Sequence, residues 1–486
     1  MYASTVVGRL AVLCLALGIT SPIGAAEPDG ESATAGVGIW EGTLDVGAAK
    51  LRLAFHFERD GDGIWTGKMD SPDQGALGLP LDTVVWKDGA VECGMQAIRG
   101  GFKGKLDADG QQLTGEWSQA GQSFPLVLKR VKEVTKVERP QEPKPPFPYR
   151  EEEVAFDGAS DGIHLAGTLT LPPGDGPFAT AILISGSGQQ DRNETVFNHK
   201  PFLILADALA RRGIAVLRVD DRGVGGSSGE VAKATTLDFA DDVRAELKYL
   251  QGRAEIDSRR IGLIGHSEGG LIAPMVAAGN SDVAFVVLLA APGVTGEETV
   301  YRQSELISRA MGADDAAIAQ NRLLQELFFG ILREGLDEQA TEAKLEAKLR
   351  DFVKETFAKL PEAERAKLDT QQEFLNQQIK VVQSPWFRFF FAHDPRTALS
   401  KLRCPVLALN GEKDVQVDPK QNLPELEKAL AAAKNDDVTL REMKGLNHLF
   451  QTCKTGALSE YAQLTETFSP AALELIGDWV VERTKR

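Results

Sequence analysis

The sequence has few cysteines and histidines, and it has fewer basic than acidic residues. These shortages argue against a disulfide-rich protein, a zinc protein and a nucleic-acid-binding protein. It has 4 cysteines in 486 residues, too few for a dense disulfide framework, and it shows no HExxH motif or cysteine–histidine cluster of the kind that binds zinc. Its 54 Lys and Arg are outnumbered by 70 Asp and Glu, which gives a formal net charge of -16. We therefore expect no nucleic-acid partner, because phosphate binding needs clustered positive charge, and no metal or organic cofactor.

Long apolar runs are also scarce, and the amino-terminal one is too short to be a membrane span. Arg9 and the apolar segment LAVLCLALGI are followed by the small residues of IGAAEP. A bilayer span needs about 20 apolar residues. A positive flank, a short apolar stretch and small residues are typical of a secretory signal peptide. The prediction is a signal peptide over 1–26, cleavage after Ala26, no stable membrane anchor, and export to the periplasm or the medium.

Cleavage there would leave three cysteines, Cys93, Cys404 and Cys453. An odd number leaves at least one thiol unpaired. A bond between the last two would have to join opposite ends of one strand, which is too far for a disulfide. We therefore expect free, mostly buried cysteines.

Residues 37–132 predict a small all-β domain, either a barrel or a sandwich. Short alternating runs such as LRLAFHFE and FPLVLKR are separated by the turn sequences RDGDG, KDG and DADG. Trp40, Trp65 and Trp117 occur at strand spacing within it. They either line a ligand cavity or form ordinary core, and core is the commoner role for aromatic residues so placed.

A proline-rich linker over 133–150, with RPQEPKPPFP at its centre, separates this domain from a different pattern. From 151 to 486 buried strands alternate with helices, as in ATAILISGSG, FLILADALARRG and IAVLRVDDRG. Such alternation is typical of an α/β fold with a mostly parallel central sheet and helices on both faces.

A helix-rich, charged stretch at about 297–399 interrupts this alternation and is far longer than an ordinary connection. Because it lies between two sheet strands, we interpret it as a helical cap over a pocket; the alternative is an appendage packed at the side. Its most apolar part, SPWFRFFFAHDP, either faces a substrate or anchors the cap.

The stretch IGLIGHSEGG, 261–270, places Ser267 between glycines at the end of a buried strand, directly before a helix. A strand-to-helix turn this tight favours small neighbours and exposes the serine hydroxyl above the sheet. Ser267 is therefore the candidate nucleophile.

A serine nucleophile needs a histidine base, which is oriented in turn by a carboxylate. Only His393 and His448 follow Ser267, and His448 lies on a loop directly after a strand, in GLNHLFQ, whereas His393 falls within the cap. Asp414 follows the preceding strand, with Glu412 and Asp418 as alternatives for the acid.

The oxyanion of an acyl-transfer intermediate needs backbone N–H donors. One is expected from Glu268, after the nucleophile. The other is expected in ISGSGQQDRNE, from Ser187 or Gly188. In that loop Asp191, Arg192 and Glu194 are expected either to form an internal ion-pair network or to line the pocket rim. After the next strand, Asp220 and Arg222 fasten loops.

GHSEGG, GSGQQDRNE, DDRGVGGSSG, GEKD and NHLF together resemble the α/β-hydrolase superfamily, specifically bacterial secreted serine esterases related to prolyl-oligopeptidase-like and serine-aminopeptidase-like hydrolases. The resemblance covers about 155–482. It implies Ser267, Asp414 and His448 as a catalytic triad, with oxyanion donors near Ser187 and at Glu268. SGSG replaces the more usual His-Gly opening of the oxyanion loop.

We therefore expect a serine carboxylesterase acting on small to medium acyl esters through an acyl-enzyme intermediate. A peptidase or amidase with the same triad is the first alternative, because the triad does not determine the leaving group. A second is an envelope ligand-binding protein with a vestigial hydrolase domain.

Overall fold

The structure is a computed structural model, and it describes residues 35–46, 50–74, 76–119, 122–135, 138–357 and 379–485. The predicted signal peptide lies outside these ranges. Within them, no helix is both long enough and apolar enough to cross a membrane. Two sheets, of nine and eight strands, form the framework.

The first sheet confirms the predicted all-β domain. Its strands pair antiparallel in the order β4-β3-β2-β1-β9-β8-β7-β6-β5. The strands are β1 (Gly38–Asp45), β2 (Lys50–Arg59), β3 (Trp65–Ser71), β4 (Ala76–Pro80), β5 (Thr83–Lys87), β6 (Ala90–Met95), β7 (Gly100–Leu106), β8 (Gln112–Gln119) and β9 (Gln122–Val131).

The two edges of this sheet, β4 and β5, are joined by only Leu81 and Asp82. A flat sheet of this size would be about 40 Å wide, whereas a link this short spans about 10 Å, so the sheet must roll up until its edges meet. The resulting barrel is filled. Trp40 and Trp117 are 0% and 2% exposed and pack among phenylalanines, so these two tryptophans are core residues.

The second sheet runs β10-β11-β13-β12-β14-β15-β16-β17. Its strands are β10 (Arg150–Asp157), β11 (His164–Leu171), β12 (Phe178–Ile184), β13 (Ala215–Val219), β14 (Ile256–His266), β15 (Val283–Leu289), β16 (Val406–Gly411) and β17 (Val438–Met443). The sheet is mixed. Strands β12 to β17 pair parallel, as predicted. Strand β10 pairs antiparallel with β11, to which a short turn connects it, and β11 also pairs antiparallel with β13.

Helices cover both faces of this sheet and create two separate apolar layers. They are α1 (Pro201–Ala210), α2 (Thr236–Gln251), α3 (Gly269–Ala277), α9 (Pro419–Ala432), α10 (Leu458–Tyr461) and α11 (Pro470–Thr484). Strands buried on both faces are near-continuous apolar runs, as β15, VAFVVLL, illustrates. Because strands β12 to β17 run parallel, their carboxyl ends lie on the same side of the sheet. The loops that follow these strands are therefore close together there.

Between β15 and β16 the chain forms α4 (Gly296–Ala310), α5 (Asp315–Leu332), α6 (Glu338–Phe357), α7 (Pro385–Ala392) and α8 (Arg396–Leu399). The predicted cap range also includes 358–378, which lie outside the described residues. Phe387, Phe390 and Phe391 of α7 are buried in one apolar cluster with Leu271 of α3. These phenylalanines pack the predicted cap against the helix that follows Ser267.

The described part of the proline-rich linker has no helix or strand before Arg150, where β10 begins, and it is docked on the α/β domain. The Arg139 guanidinium donates hydrogen bonds to the carbonyls of Phe197 and Leu464, at 2.9 and 2.8 Å. The Gln141 side chain donates to the Phe468 carbonyl at 2.7 Å and accepts from the Thr467 N–H at 2.6 Å. The linker is thereby fixed to the segment 464–468.

His199 contacts Tyr461 and Thr467 from the buried side of this region. Because its ring is buried, we expect the stability of the protein to fall at acidic pH. The His199 ring is 0% exposed; Nε2 lies 2.9 Å from the Tyr461 carbonyl and Nδ1 2.9 Å from Thr467 Oγ1. Burial lowers the pKa of His199 to about 4. The folded protein thus keeps this ring neutral, and its stabilising effect is complete above about pH 6.5 and is lost as the pH falls towards 4.

We expect His199→Gln to be less stable than wild type at neutral pH, and the gap to narrow by on the order of 2 kcal/mol between about pH 7 and pH 4.5. Urea unfolding at both pH values measures this. His164→Gln, which changes an exposed histidine, is the control. An equal gap at both pH values would contradict the assignment.

The three described cysteines are free, as predicted, with Cys93 and Cys453 buried and Cys404 partly buried. Burial raises the pKa of Cys93 to about 12, and the pKa of Cys404 and of Cys453 to about 11. These thiols stay protonated at neutral pH.

Candidate active site

Ser267 lies on the turn between β14 and α3 in a left-handed conformation, with φ of +53°. Its N–H donates to the Leu289 carbonyl at 2.8 Å. Glycine is required at positions 265 and 269 because backbone atoms of neighbouring segments leave no room for a side chain. A Cβ added to Gly265 would lie 2.0 Å from the Gly269 carbonyl oxygen, and one added to Gly269 would lie 2.1 Å from the Ile184 carbonyl oxygen. This is the strained turn predicted from the sequence, with its hydroxyl-bearing residue at the apex.

His448 and Asp414 form a buried pair at the ends of neighbouring strands. His448 Nδ1 lies 2.8 Å from Asp414 Oδ2, and the two residues are 4% and 3% exposed. Asp414 Oδ1 accepts hydrogen bonds from the N–H groups of Gln416 and Val417, at 2.8 and 2.9 Å. An ionised carboxylate so held only accepts, so His448 Nδ1 carries the proton and Nε2 is left as a base.

The alternative acids and the alternative histidine have other roles. Glu412 accepts from the Gly445 N–H at 2.8 Å. Asp418 caps the start of α9 and pairs with Arg302 at 2.7 Å. His393 stacks on Phe389 at the end of α7. Of these candidates, the geometry favours Asp414 and His448.

Ser267 is adjacent to both loops that the prediction assigns to catalysis. The ring of its neighbour His266 lies 4.7 Å from that of His448, centroid to centroid. On the other side, a Cβ added to Gly186 would lie 3.2 Å from Ser267 Cβ. Ser267, His448 and the segment around Ser187 thus lie near one another at the carboxyl end of the sheet.

Three backbone N–H groups are the predicted donors to a developing oxyanion. Glu268 is the residue before the first turn of α3, and Ser187 and Gly188 are the third and fourth residues after β12. Within the described chain, no acceptor is bonded to any of these three N–H groups. The neighbouring Gly186 N–H is occupied, since it donates to Glu194 Oε1 at 2.7 Å. Free donors at a helix start are what such a site requires.

The Glu268 side chain connects this site to the cap. It is 3% exposed, and Oε1 accepts from Thr236 Oγ1 at 2.6 Å and from Trp386 Nε1 of α7 at 2.8 Å. Burial raises the pKa of Glu268. The cap therefore contacts the residue whose N–H is the predicted oxyanion donor.

We expect Trp386→Phe to lower kcat/KM for ester substrates by about 3- to 10-fold, because Glu268 loses a buried donor while the aromatic ring is retained. Trp479→Phe is the matched control, since the indole N–H of that buried tryptophan has no partner among the described residues. Steady-state kinetics of both variants tests the prediction. Equal effects of the two substitutions would show that the hydrogen bond to Glu268 is unimportant.

Charged residues of the oxyanion loop form ion pairs, but with partners outside the loop and not with one another, so the internal network expected from the sequence is not found among the described residues. Arg192 donates to Asp220 at 2.8 Å and also pairs with Glu153. Asp191 accepts from the Thr195 N–H and hydroxyl. Arg222 pairs with Asp242 at 2.7 Å. Asp220 and Arg222 therefore fasten loops.

Sequence reasoning missed two contacts around the site. His266 pairs with Glu194 next to Ser267, and Trp386 of α7 donates a hydrogen bond to Glu268. The first had a signal, a histidine directly before the serine in GHSEGG. The second had none, because 118 residues separate the partners.

A family model described as "Alpha/beta hydrolase family" matches residues 181–453, a range that contains Ser267, Asp414 and His448. Esterase EstD of Thermotoga maritima is 26% identical over 308 residues, which cover 63% of this chain and 61% of that protein. The chain thus matches less than two thirds of the length of that relative. Among solved structures, the Pyrococcus furiosus esterase Pf2001 is 17% identical with a TM-score of 0.41, over 73% of this chain and 99% of that chain. Est1E from Butyrivibrio proteoclasticus is 15% identical with a TM-score of 0.37, over 69% and 99%.

Proposed function

Because the chain belongs to the alpha/beta hydrolase family, we propose that it is a serine carboxylesterase that hydrolyses small to medium acyl esters. The observation that carries the proposal is the buried His448–Asp414 hydrogen bond beside a left-handed Ser267. The name of the Thermotoga maritima relative, an esterase, supports the choice of ester over other acyl substrates.

The proposed reaction has two acyl-transfer steps. His448 Nε2 removes the proton of Ser267 Oγ, which attacks the ester carbonyl, and the N–H groups of Glu268 and of Ser187 or Gly188 stabilise the oxyanion. His448 then protonates the leaving alcohol and afterwards activates water, which releases the acid from Ser267. Asp414 keeps Nδ1 protonated and stabilises the imidazolium.

The test combines labelling with substrate comparison. Wild-type protein is treated with a fluorophosphonate probe, and its turnover of p-nitrophenyl esters from acetate to laurate is compared with that of aminoacyl anilides. We expect the probe to label the protein and the esters to be turned over faster than the anilides. The dependence of turnover on acyl chain length would then indicate the size of the acyl pocket. Faster anilide turnover would favour the peptidase alternative. A folded but unlabelled protein would favour the ligand-binding alternative.

We also propose export, on the basis of the positive flank, apolar stretch and small residues in 1–26. Expression of the full chain in a bacterium with a Sec system, followed by amino-terminal sequencing of the exported fraction, tests this. Glu27 as the first residue is the expected result, and full-length protein retained in the cytoplasm would contradict it.

A further inference from the structure

Glu194 and His266 form a buried pair that the reaction above does not use. We propose that they are positioning residues, which hold the oxyanion loop (185–194) and the base loop (444–452) in fixed relation to Ser267. The inference rests on the proposed function, since it concerns the geometry of the same triad.

The pair connects three segments through consecutive hydrogen bonds. Glu194 Oε1 accepts from the Gly186 N–H at 2.7 Å and lies 2.7 Å from His266 Nδ1. His266 Nε2 lies 2.9 Å from the backbone carbonyl of His448. One end of the chain of bonds is therefore the residue before Ser187, and the other end is the catalytic base itself.

The chemistry of the partners determines the protonation of His266. Both ring nitrogens face oxygens, and the His448 carbonyl can only accept, so Nε2 must carry a proton. Nδ1 faces an oxygen that already accepts from Gly186, so a second ring proton satisfies the remaining contact. Burial opposes a charge on His266, but the Glu194 carboxylate reverses this and leaves its pKa raised. The arrangement favours an imidazolium–carboxylate pair.

Burial and backbone geometry show that the pair has little freedom to move. Glu194 and His266 are 2% and 6% exposed, and Glu194 has a left-handed φ of +53°. A Cβ added to Gly186 would lie 3.2 Å from Glu194 Oε1 and 3.2 Å from Ser267 Cβ. A shift of either loop would separate a buried charge from its partners, which is strongly unfavourable.

Two substitutions of His266 separate positioning from simple stabilisation. The amide nitrogen of Asn takes the place of Nδ1 and can reach Glu194, whereas that of Gln takes the place of Nε2 and can reach the His448 carbonyl. Both variants lose the charge. Only His266→Gln keeps the bond to the base loop.

The experiment measures kcat and KM for p-nitrophenyl esters, per site titrated with a fluorophosphonate, for wild type, His266→Asn and His266→Gln. We expect kcat of His266→Asn to fall by about 10- to 100-fold with KM within about 3-fold of wild type, because a misplaced base slows chemistry more than binding. We expect His266→Gln to recover most of the lost kcat. Thermal unfolding midpoints report whether both variants are folded.

The remaining outcomes overturn the inference. Equal kcat for the two variants would mean that the hydrogen bond from His266 to the His448 carbonyl does not position the base. A wild-type kcat for His266→Asn would mean that the pair only stabilises the fold. If His266→Asn does not fold, Glu194→Ala is the second variant. Alanine has no oxygen that could accept from Gly186 or His266, so kcat should fall, and an unchanged kcat overturns the inference. Failure of wild type to label would refute the proposed function, whereas labelled wild type with unaffected variants refutes only this inference.

Discussion

Ser267→Ala is expected to abolish fluorophosphonate labelling and to lower kcat for p-nitrophenyl esters on the order of 10⁴- to 10⁶-fold, because no other hydroxyl can replace the nucleophile on the strained turn. The fold should be unaffected, since alanine differs from serine only in lacking the hydroxyl oxygen and the backbone N–H at this position still donates to the Leu289 carbonyl. Labelling, turnover and the unfolding midpoint are measured on the same preparation.

The matched control is Ser400→Ala, which removes a hydroxyl that donates only to the Thr397 carbonyl after α8. We expect wild-type labelling and turnover from this control. Labelling that persists in Ser267→Ala, at unchanged rate, would place the reactive serine elsewhere and would refute the triad.

Asp414→Asn is expected to lower kcat on the order of 10³- to 10⁴-fold with a smaller effect on KM. Its amide can donate to His448 Nδ1, which would then carry no proton, and the proton on Nε2 would block its action as a base. Oδ1 can still accept from the N–H groups of Gln416 and Val417, so the loop should keep its conformation. Kinetics as a function of pH measures the effect.

Glu412→Gln and Asp418→Asn are the controls, because sequence reasoning left these two acids as alternatives. In Glu412→Gln the new side-chain carbonyl can still accept from the Gly445 N–H, and Asp418 belongs to the start of α9 and to Arg302. Both controls should keep kcat within about 3-fold of wild type. If kcat falls further in either control than in Asp414→Asn, that residue and not Asp414 would be the acid that orients His448.

The family and the elements around Ser267 were predictable because their signals are local. A buried strand, a glycine-flanked serine and a helix follow each other within about twenty residues, and the required space at Gly265 and Gly269 explains the motif directly. The resemblance to α/β-hydrolases is confirmed by the match over 181–453. The order of Ser267, Asp414 and His448 along the chain then limits the choice of partners to a few residues.

Contacts between distant segments were not predictable in the same way. Glu194 and His266 are 72 residues apart, and nothing in either segment specifies the other. The antiparallel start of the second sheet is a similar case. Strands β10 and β11 have apolar patterns that suit either direction, and only the short connection between them requires a hairpin.

The raised thiol pKa values have a practical consequence for covalent chemistry on this protein. With a pKa of about 11, only about one thiol in ten thousand is ionised at neutral pH, and the thiolate is the reactive form. Electrophiles such as iodoacetamide or chloromethyl ketones should therefore modify Cys93, Cys404 and Cys453 slowly. An inhibitor that attacks both serine and cysteine enzymes should therefore modify these three thiols far more slowly than an activated serine.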